Sequence, residues 1–161
     1  MSLREMVAEA VRQRRFDDLE SLVEKDSRSV RYLVGLTYQA DDEVSDAAAR
    51  GLALASRHHP GLVREVVRRL VWAMNDESGT YAASAPDVLR RIAEISPEAL
   101  LPSLPDLMRL TADPGLHDRL VEVSRMVAAR FPREAARSVQ ESLAECGRGG
   151  STRESRRLGR P

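Results

Sequence analysis

The side chains most able to do chemistry in this chain are three histidines and a single cysteine. His58 and His59 are adjacent, and because neighbouring positions on a helix point about 100° apart, they do not share one metal-binding face. Their place at the end of a predicted helix favours a stabilising interaction with the helix C-terminus instead. His117 fits a solvent-exposed role better than that of a general base, and Cys146 has no second cysteine to pair with. We therefore predict no catalytic residue, no metal site and no cofactor.

The loop at residues 75–79, Asn-Asp-Glu-Ser-Gly, places two acidic residues, Asp76 and Glu77, side by side. It lacks the alternating acidic ligands and the later glutamate of a calcium-binding loop. Asp76 or Ser78 is better explained as the cap of the next helix, and Gly79 as a turn residue with positive φ, with a role in protein binding as the alternative. Signatures of phosphate-binding loops, serine hydrolases and zinc proteases are absent from the sequence. The pattern predicts a protein that is not an enzyme.

Composition indicates one domain with an aliphatic core, since hydrophobic residues make up 42% of the 161 residues and aromatic residues only 4%. Five arginines and one glutamate fall in residues 146–161, which leaves a net charge of −4 on residues 1–145. We predict a helical domain over 1–145 and a flexible Arg/Gly-rich tail over 146–161. No apolar run approaches the roughly 20 residues of a membrane span, and no signal-peptide pattern is present, so we expect a cytoplasmic protein.

Apolar residues recur at three- and four-residue steps almost throughout, and no alternating strand pattern or hairpin turn is present. The fold class is therefore all-α, with roughly two-thirds or more of the residues in helices. Pro102 and Pro105 fall inside one predicted helix and predict a kink or split there. The predicted helices are 3–14, 17–25, 28–39, 42–58, 61–75, 84–95, 98–111, 115–131 and 133–145.

Pro60, Pro97 and Pro132 each stand where a helix begins, a position that tolerates proline. They are spaced by 37 and 35 residues, and each interval holds a helix, an acidic turn and a second helix. An earlier copy begins near Ser27. Such a period is typical of stacked helical repeats, and we predict a right-handed α-α superhelix of about four helix pairs. A plain helical bundle is the alternative.

Trp72 is the only tryptophan and follows the apolar stripe of its helix. We expect it to be mostly buried in the gap between neighbouring repeats, with an exposed role in binding as the alternative. Arg68, one turn earlier, could contact the indole ring through a cation–π interaction.

The stretch Trp72-x-x-Asn75-Asp76-Glu77-Ser78-Gly79, followed by Ala85-Pro86-Asp87 and Ile92, resembles bacterial HEAT-like repeat proteins of the phycobilisome-lyase type, which have an armadillo-type superhelix. Arg90 departs from the small residue usual in that pattern, and the aromatic position after Gly79 is occupied by Tyr81. The resemblance assigns structural roles to Trp72, Asp76, Gly79 and Pro86. It implies a protein-binding scaffold and does not carry an enzymatic activity with it.

We expect a cytoplasmic adaptor that binds another protein or a peptide through a surface formed mainly by the second helix of each pair. A bilin-lyase-like enzyme or cofactor chaperone is one alternative, although no aromatic-lined or Cys/His-bearing pocket is predicted. Weak nucleic-acid binding through Arg64, Arg68, Arg69 and the tail is another, and the acidic body argues against it. The predicted partner-binding residues are Asp46, Arg50, Asp87, Arg91, Asp118, Arg119 and Glu122.

Overall fold

A computed structural model describes residues 1–75 and 83–154. Side chains are described for residues 1–75 and 83–144. Helix accounts for 81% of the chain, which confirms the all-α prediction, and no strand occurs in the described ranges. The helices are α1 (Leu3–Arg12), α2 (Phe16–Lys25), α3 (Arg28–Leu36), α4 (Asp42–Ala55), α5 (Pro60–Asn75), α6 (Ala85–Ile95), α7 (Leu104–Leu110), α8 (His117–Arg130) and α9 (Pro132–Glu154), with a 3₁₀ segment (Pro97–Ser103) before α7.

Helix starts follow the local sequence closely. Ser2 and Glu5 form a reciprocal capping box at α1, as the Ser-x-x-Glu spacing predicts. Asp41 caps α4 by accepting hydrogen bonds from the backbone N–H groups of Glu43 and Val44 at 3.0 and 3.2 Å. Pro60, Pro97 and Pro132 are each the first residue of a helical segment. These local signals determine where those helical segments begin.

The turn from α1 to α2 is closed by a residue that is unusual for its position. Arg14 has a φ of 53°, in the left-handed region where glycine is normally found. The backbone N–H groups of Arg14 and Arg15 donate to the carbonyls of Val11 and Ala10 at 3.1 and 2.9 Å, which is the Schellman arrangement. An arginine here, rather than a glycine, directs a guanidinium toward α4.

The centre of the core is α4, which contacts α1, α2, α3, α5 and α6. A helix that packs against several neighbours needs a wide apolar face, and the buried positions of α4 are mostly small. Small side chains allow neighbouring helices to approach closely. The buried residues of α4 are Ala47, Ala48, Ala49, Gly51, Leu52, Ala53, Leu54 and Ala55.

Helices also contact the helix two positions along the chain. In one row α2 contacts α4, α4 contacts α6, and α6 contacts α8. In the other, α1 contacts α3, α3 contacts α5, and α5 contacts both the 3₁₀ segment and α7. Contacts between α4 and α6 are extensive, whereas those between α3 and α5 are sparse. The α3–α4 and α5–α6 pairs therefore approach more closely through their second helices than through their first.

Two predicted boundaries near the C-terminus have different outcomes. The predicted break at Pro102 and Pro105 is confirmed, because the 3₁₀ segment ends at Ser103 and α7 begins at Leu104. The last helix continues to Glu154 instead of ending near residue 145. Side chains from residue 145 onward lie outside the described part, so the tail remains a prediction. No helix in the described ranges is long and apolar enough to cross a bilayer.

Candidate functional site

The second helices α4 and α6 are joined by an ion pair between two of the predicted surface residues. Arg91 Nε donates to Asp46 Oδ1 at 2.6 Å, across 45 positions of sequence. Arg14 Nη2 lies 3.6 Å from Asp46 Oδ2, so the carboxylate has a cation on each side. Asp46 and then Glu94 raise the pKa of the Arg91 guanidinium above its ordinary value. This arrangement connects the α1–α2 turn, α4 and α6.

A second connection joins α6 to α8. Arg119 Nη1 donates to the carbonyl oxygen of Ala83 at 3.0 Å and to Asp87 Oδ2 at 3.4 Å. Both groups lie at the start of α6, one before it and one in its first turn. The structure thus brings four predicted surface residues together in two cross-helix pairs. Because each charge in these pairs has a counter-charge within the chain, the pairs stabilise the row of second helices as well as facing solvent.

The other three predicted surface residues are not part of these pairs. Arg50 stacks on Phe16, with its guanidinium carbon 4.2 Å from the ring centroid. Asp118 and Glu122 line a shallow depression on α8 together with Arg125, with a volume of about 570 Å³. The predicted surface is therefore not one continuous patch but a braced segment followed by a separate polar depression.

Trp72 contradicts the prediction, because 71% of its surface is exposed. The buried stripe of α5 is centred on Val67 and Met74, and a position 100° beyond Val71 falls on the opposite side of the helix. The indole therefore points away from the core. The predicted contact with Arg68 is not among the cation–π contacts of the described residues, and the Arg68 guanidinium instead bonds to Glu65 at 2.7 and 3.0 Å.

The exposed face of α5 borders a groove that the sequence interpretation missed. This groove, here called the α3–α5 groove, has a volume of about 370 Å³. The apolar side chain of Leu62 is 45% exposed, and the aromatic side chain of Tyr38 is 43% exposed. The signal was present in the sequence as Leu62 and Val66 at the edge of the α5 stripe. The groove is lined by Ser27, Val30, Arg31, Val34, Tyr38, Leu62, Glu65, Val66, Arg69 and Leu70.

Charged residues along this groove are mainly basic. Arg68 and Arg69 share the carboxylate of Glu65, with Arg69 Nε at 3.2 Å. The hydrogen bond from Arg68 is the main cause that lowers the pKa of Glu65 from 4.5 to about 2. Arg31, on the opposite wall, forms no ion pair with any residue in the described ranges. A phosphate group would have to compete with Glu65 for Arg68 and Arg69, two of the three arginines considered for nucleic-acid binding.

The histidines have structural partners. His58 Nε2 lies 3.1 Å from Glu20 Oε1, an interaction that lowers the pKa of the Glu20 carboxyl. His59 Nε2 lies 2.8 Å from the carbonyl oxygen of Val23, and His117 Nδ1 lies 2.8 Å from that of Thr111. No group of three potential metal ligands occurs in the described part of the chain.

The turn that carries the family resemblance is only partly described. Asp76, Gly79 and Tyr81 lie outside the described residues, so their predicted roles stay predictions. Pro86 is buried in the first turn of α6, where proline is compatible with a helix, in keeping with a structural role.

Comparisons with known proteins give no relative on which to base a function. No protein-family model matches the chain, and neither the curated proteins nor the solved structures contain a match. The resemblance to HEAT-like repeats therefore remains a prediction, and the function has to be argued from the surfaces described above.

Proposed function

We propose that this protein is a non-catalytic, cytoplasmic scaffold that binds another protein, built as a right-handed superhelix of about four HEAT-like helix pairs. The regular contacts between helices two positions apart support a stack of pairs over a plain bundle. Stacked pairs expose long helix faces, which suit the recognition of a protein segment.

The observation that carries the binding function is the exposed apolar and aromatic surface along α5. Trp72 has 71% of its surface exposed, which leaves a large aromatic side chain accessible to a partner. Tryptophan and tyrosine are the residues most enriched where binding energy is concentrated. Trp72 lies one turn beyond Arg69 on α5, and both Arg69 and Tyr38 line the α3–α5 groove. The groove and Trp72 form the principal contact surface of this proposal.

The predicted second-helix residues form a separate, accessory surface in this proposal. Asp118 and Glu122 present carboxylates around the depression on α8. Asp46, Arg91, Asp87 and Arg119 hold α4, α6 and α8 in register through the two cross-helix pairs. A partner that reached this side would meet charges already arranged by those pairs.

The experiment compares two exposed leucines on different sides of the molecule. Leu62, in the groove, and Leu143, on α9, are 45% and 67% exposed, so aspartate at either position should leave the fold intact. Affinity capture from a native extract, followed by mass spectrometry, is carried out with wild type, Leu62→Asp and Leu143→Asp. We expect a partner retained by wild type and Leu143→Asp to be lost with Leu62→Asp. Equal retention by all three, or no retained protein, would contradict the proposal. Thermal melts of both variants verify folding.

A further inference from the structure

The α3–α5 groove has the shape of a site for one additional helix. The residues of α3 that line it stand at steps of three or four, and so do those of α5. Each wall is thus a helical stripe, and a third helix packs naturally between two such stripes. Within this molecule α4 occupies a comparable position, since it packs between other helices. The sparse contact between α3 and α5 leaves this position open.

The length of the groove sets the length of its occupant. The wall formed by α3 and its flanking residues runs from Ser27 to Tyr38, eleven steps along the chain. At about 1.5 Å per residue this is roughly 16 Å, or three helical turns. The floor is apolar, with Val30, Val34 and Val66 in the lining. A short helix with one apolar face, spaced at i, i+3, i+4 and i+7, fits both the length and the floor.

The charges that line the groove favour one sign of net charge in the molecule that binds there. Arg31 and Arg69 line the groove, and Glu65 is the one carboxylate among the lining residues, so the lining carries an excess of one positive charge. The whole chain has a formal net charge of zero, which makes this excess a local feature. Opposite charges on the two partners around an apolar contact favour association. Like charges at the same positions disfavour it.

We propose that the α3–α5 groove binds an acidic amphipathic helix of about three turns, supplied by another protein. This inference rests on the proposed function, and it specifies the chemistry of the partner. The apolar face of the helix covers Leu62 and Val66, while its carboxylates contact Arg31 and Arg69. A helix that extends past Arg69 also covers Trp72.

Three synthetic peptides of sixteen residues serve as probes. The first has leucine at i, i+3, i+4 and i+7 with glutamate on its polar face, the second has lysine in place of glutamate, and the third is a scramble of the first. Since Trp72 is the only tryptophan, its fluorescence reports binding directly. We expect a blue shift with the acidic peptide, and an affinity about tenfold higher than for the basic one at low salt. The scramble should bind weakly.

Two variants with the same change of charge locate the effect. Arg31→Glu should lower the affinity for the acidic peptide by about tenfold, since it replaces an attraction with a repulsion. Arg133→Glu on α9, a helix that packs on α7 and α8, should leave the affinity unchanged. Leu62→Asp should abolish binding of the peptide.

The outcomes separate this inference from the proposed function. Suppose that neither helical peptide binds, while a protein captured by wild type is still lost with Leu62→Asp. The proposed acidic amphipathic helix is then wrong, and the scaffold function stands. Equal binding of the acidic and basic peptides would overturn the charge selection. Sedimentation that shows a dimer, disrupted by Leu62→Asp, would assign the groove to a second copy of this chain and overturn the proposal.

Discussion

The interface between α4 and α6 and the interface between α3 and α5 join the same two helix pairs, but helix–helix contacts are extensive at the first and sparse at the second. At the first interface, Asp46 of α4 bonds to Arg91 of α6. At the second, branched and aromatic residues are among those that line a groove of about 370 Å³. The two pairs are therefore joined by a cross-helix ion pair on one side, while the other side leaves a partly apolar groove available to a partner.

The largest effect expected from this difference comes from two leucines on neighbouring helices. Leu52 in α4 has no exposed surface, so Leu52→Ala should lower the free energy of unfolding by about 2–5 kcal/mol. Leu62→Ala should lower it by about 1 kcal/mol or less, because that side chain is already half in water. Urea unfolding followed by circular dichroism measures both. Losses of equal size would mean that the groove belongs to the core.

Substitution of Gly51 tests how closely neighbouring helices must pack against α4. A Cβ at this position would lie 2.8 Å from side-chain carbons of both Leu19 and Leu33, which are fully buried. Gly51→Val should therefore destabilise the protein by about 1–3 kcal/mol through overpacking. Gly35 in α3 is the control, since a Cβ there meets nothing within 4 Å. Gly35→Val should change stability by about 0.5 kcal/mol or less, and a Gly51→Val variant as stable as this control would contradict the close packing.

The Asp46–Arg91 pair should make a smaller contribution. A double-mutant cycle with Asp46→Asn and Arg91→Met is expected to give a coupling of about 0.5–1 kcal/mol in low salt, decreasing as salt is added. The comparison is the Arg15–Asp18 pair, which is at a similar distance of 2.7 Å but joins residues three apart on the surface. Its coupling should be smaller. A coupling of zero for Asp46–Arg91 would show that α4 and α6 are held by packing alone.

The smallest effect concerns Glu65 at the rim of the groove. Its pKa of about 2 lies below the ordinary 4.5 because of Arg68 and then Arg69, so this carboxylate stabilises the fold above about pH 4.5. That contribution is lost as the pH falls toward 2. An NMR titration of the carboxyl carbon should give this low pKa, and Arg68→Met combined with Arg69→Met should return it toward 4.5. A wild-type value near 4.5 would exclude the shared pairing.

Local sequence signals predicted the helices well and the groove poorly. Prolines and caps placed the helix starts, because they act on the backbone within one turn. The burial of Trp72 was predicted wrongly although the spacing of Val67, Val71 and Met74 already put it on the opposite face. In that case the size of an aromatic side chain was given more weight than its position on the helix. The second-helix surface and the HEAT-like superhelix remain predictions.

The sequence by itself determined that the chain is helical, where each segment begins to within two residues, and that the long helix predicted around Pro102 and Pro105 is divided in two. These features depend on φ restriction, capping and apolar spacing, which operate over a few residues. Only the tertiary structure decided that Arg91 meets Asp46 and that Arg119 meets Asp87, since those partners are 45 and 32 positions apart. It also decided that the apolar stripe of α3 and α5 is left partly uncovered. Periodicity defines the face that a helix would bury, but whether another helix covers that face depends on how closely the neighbouring pairs can pack.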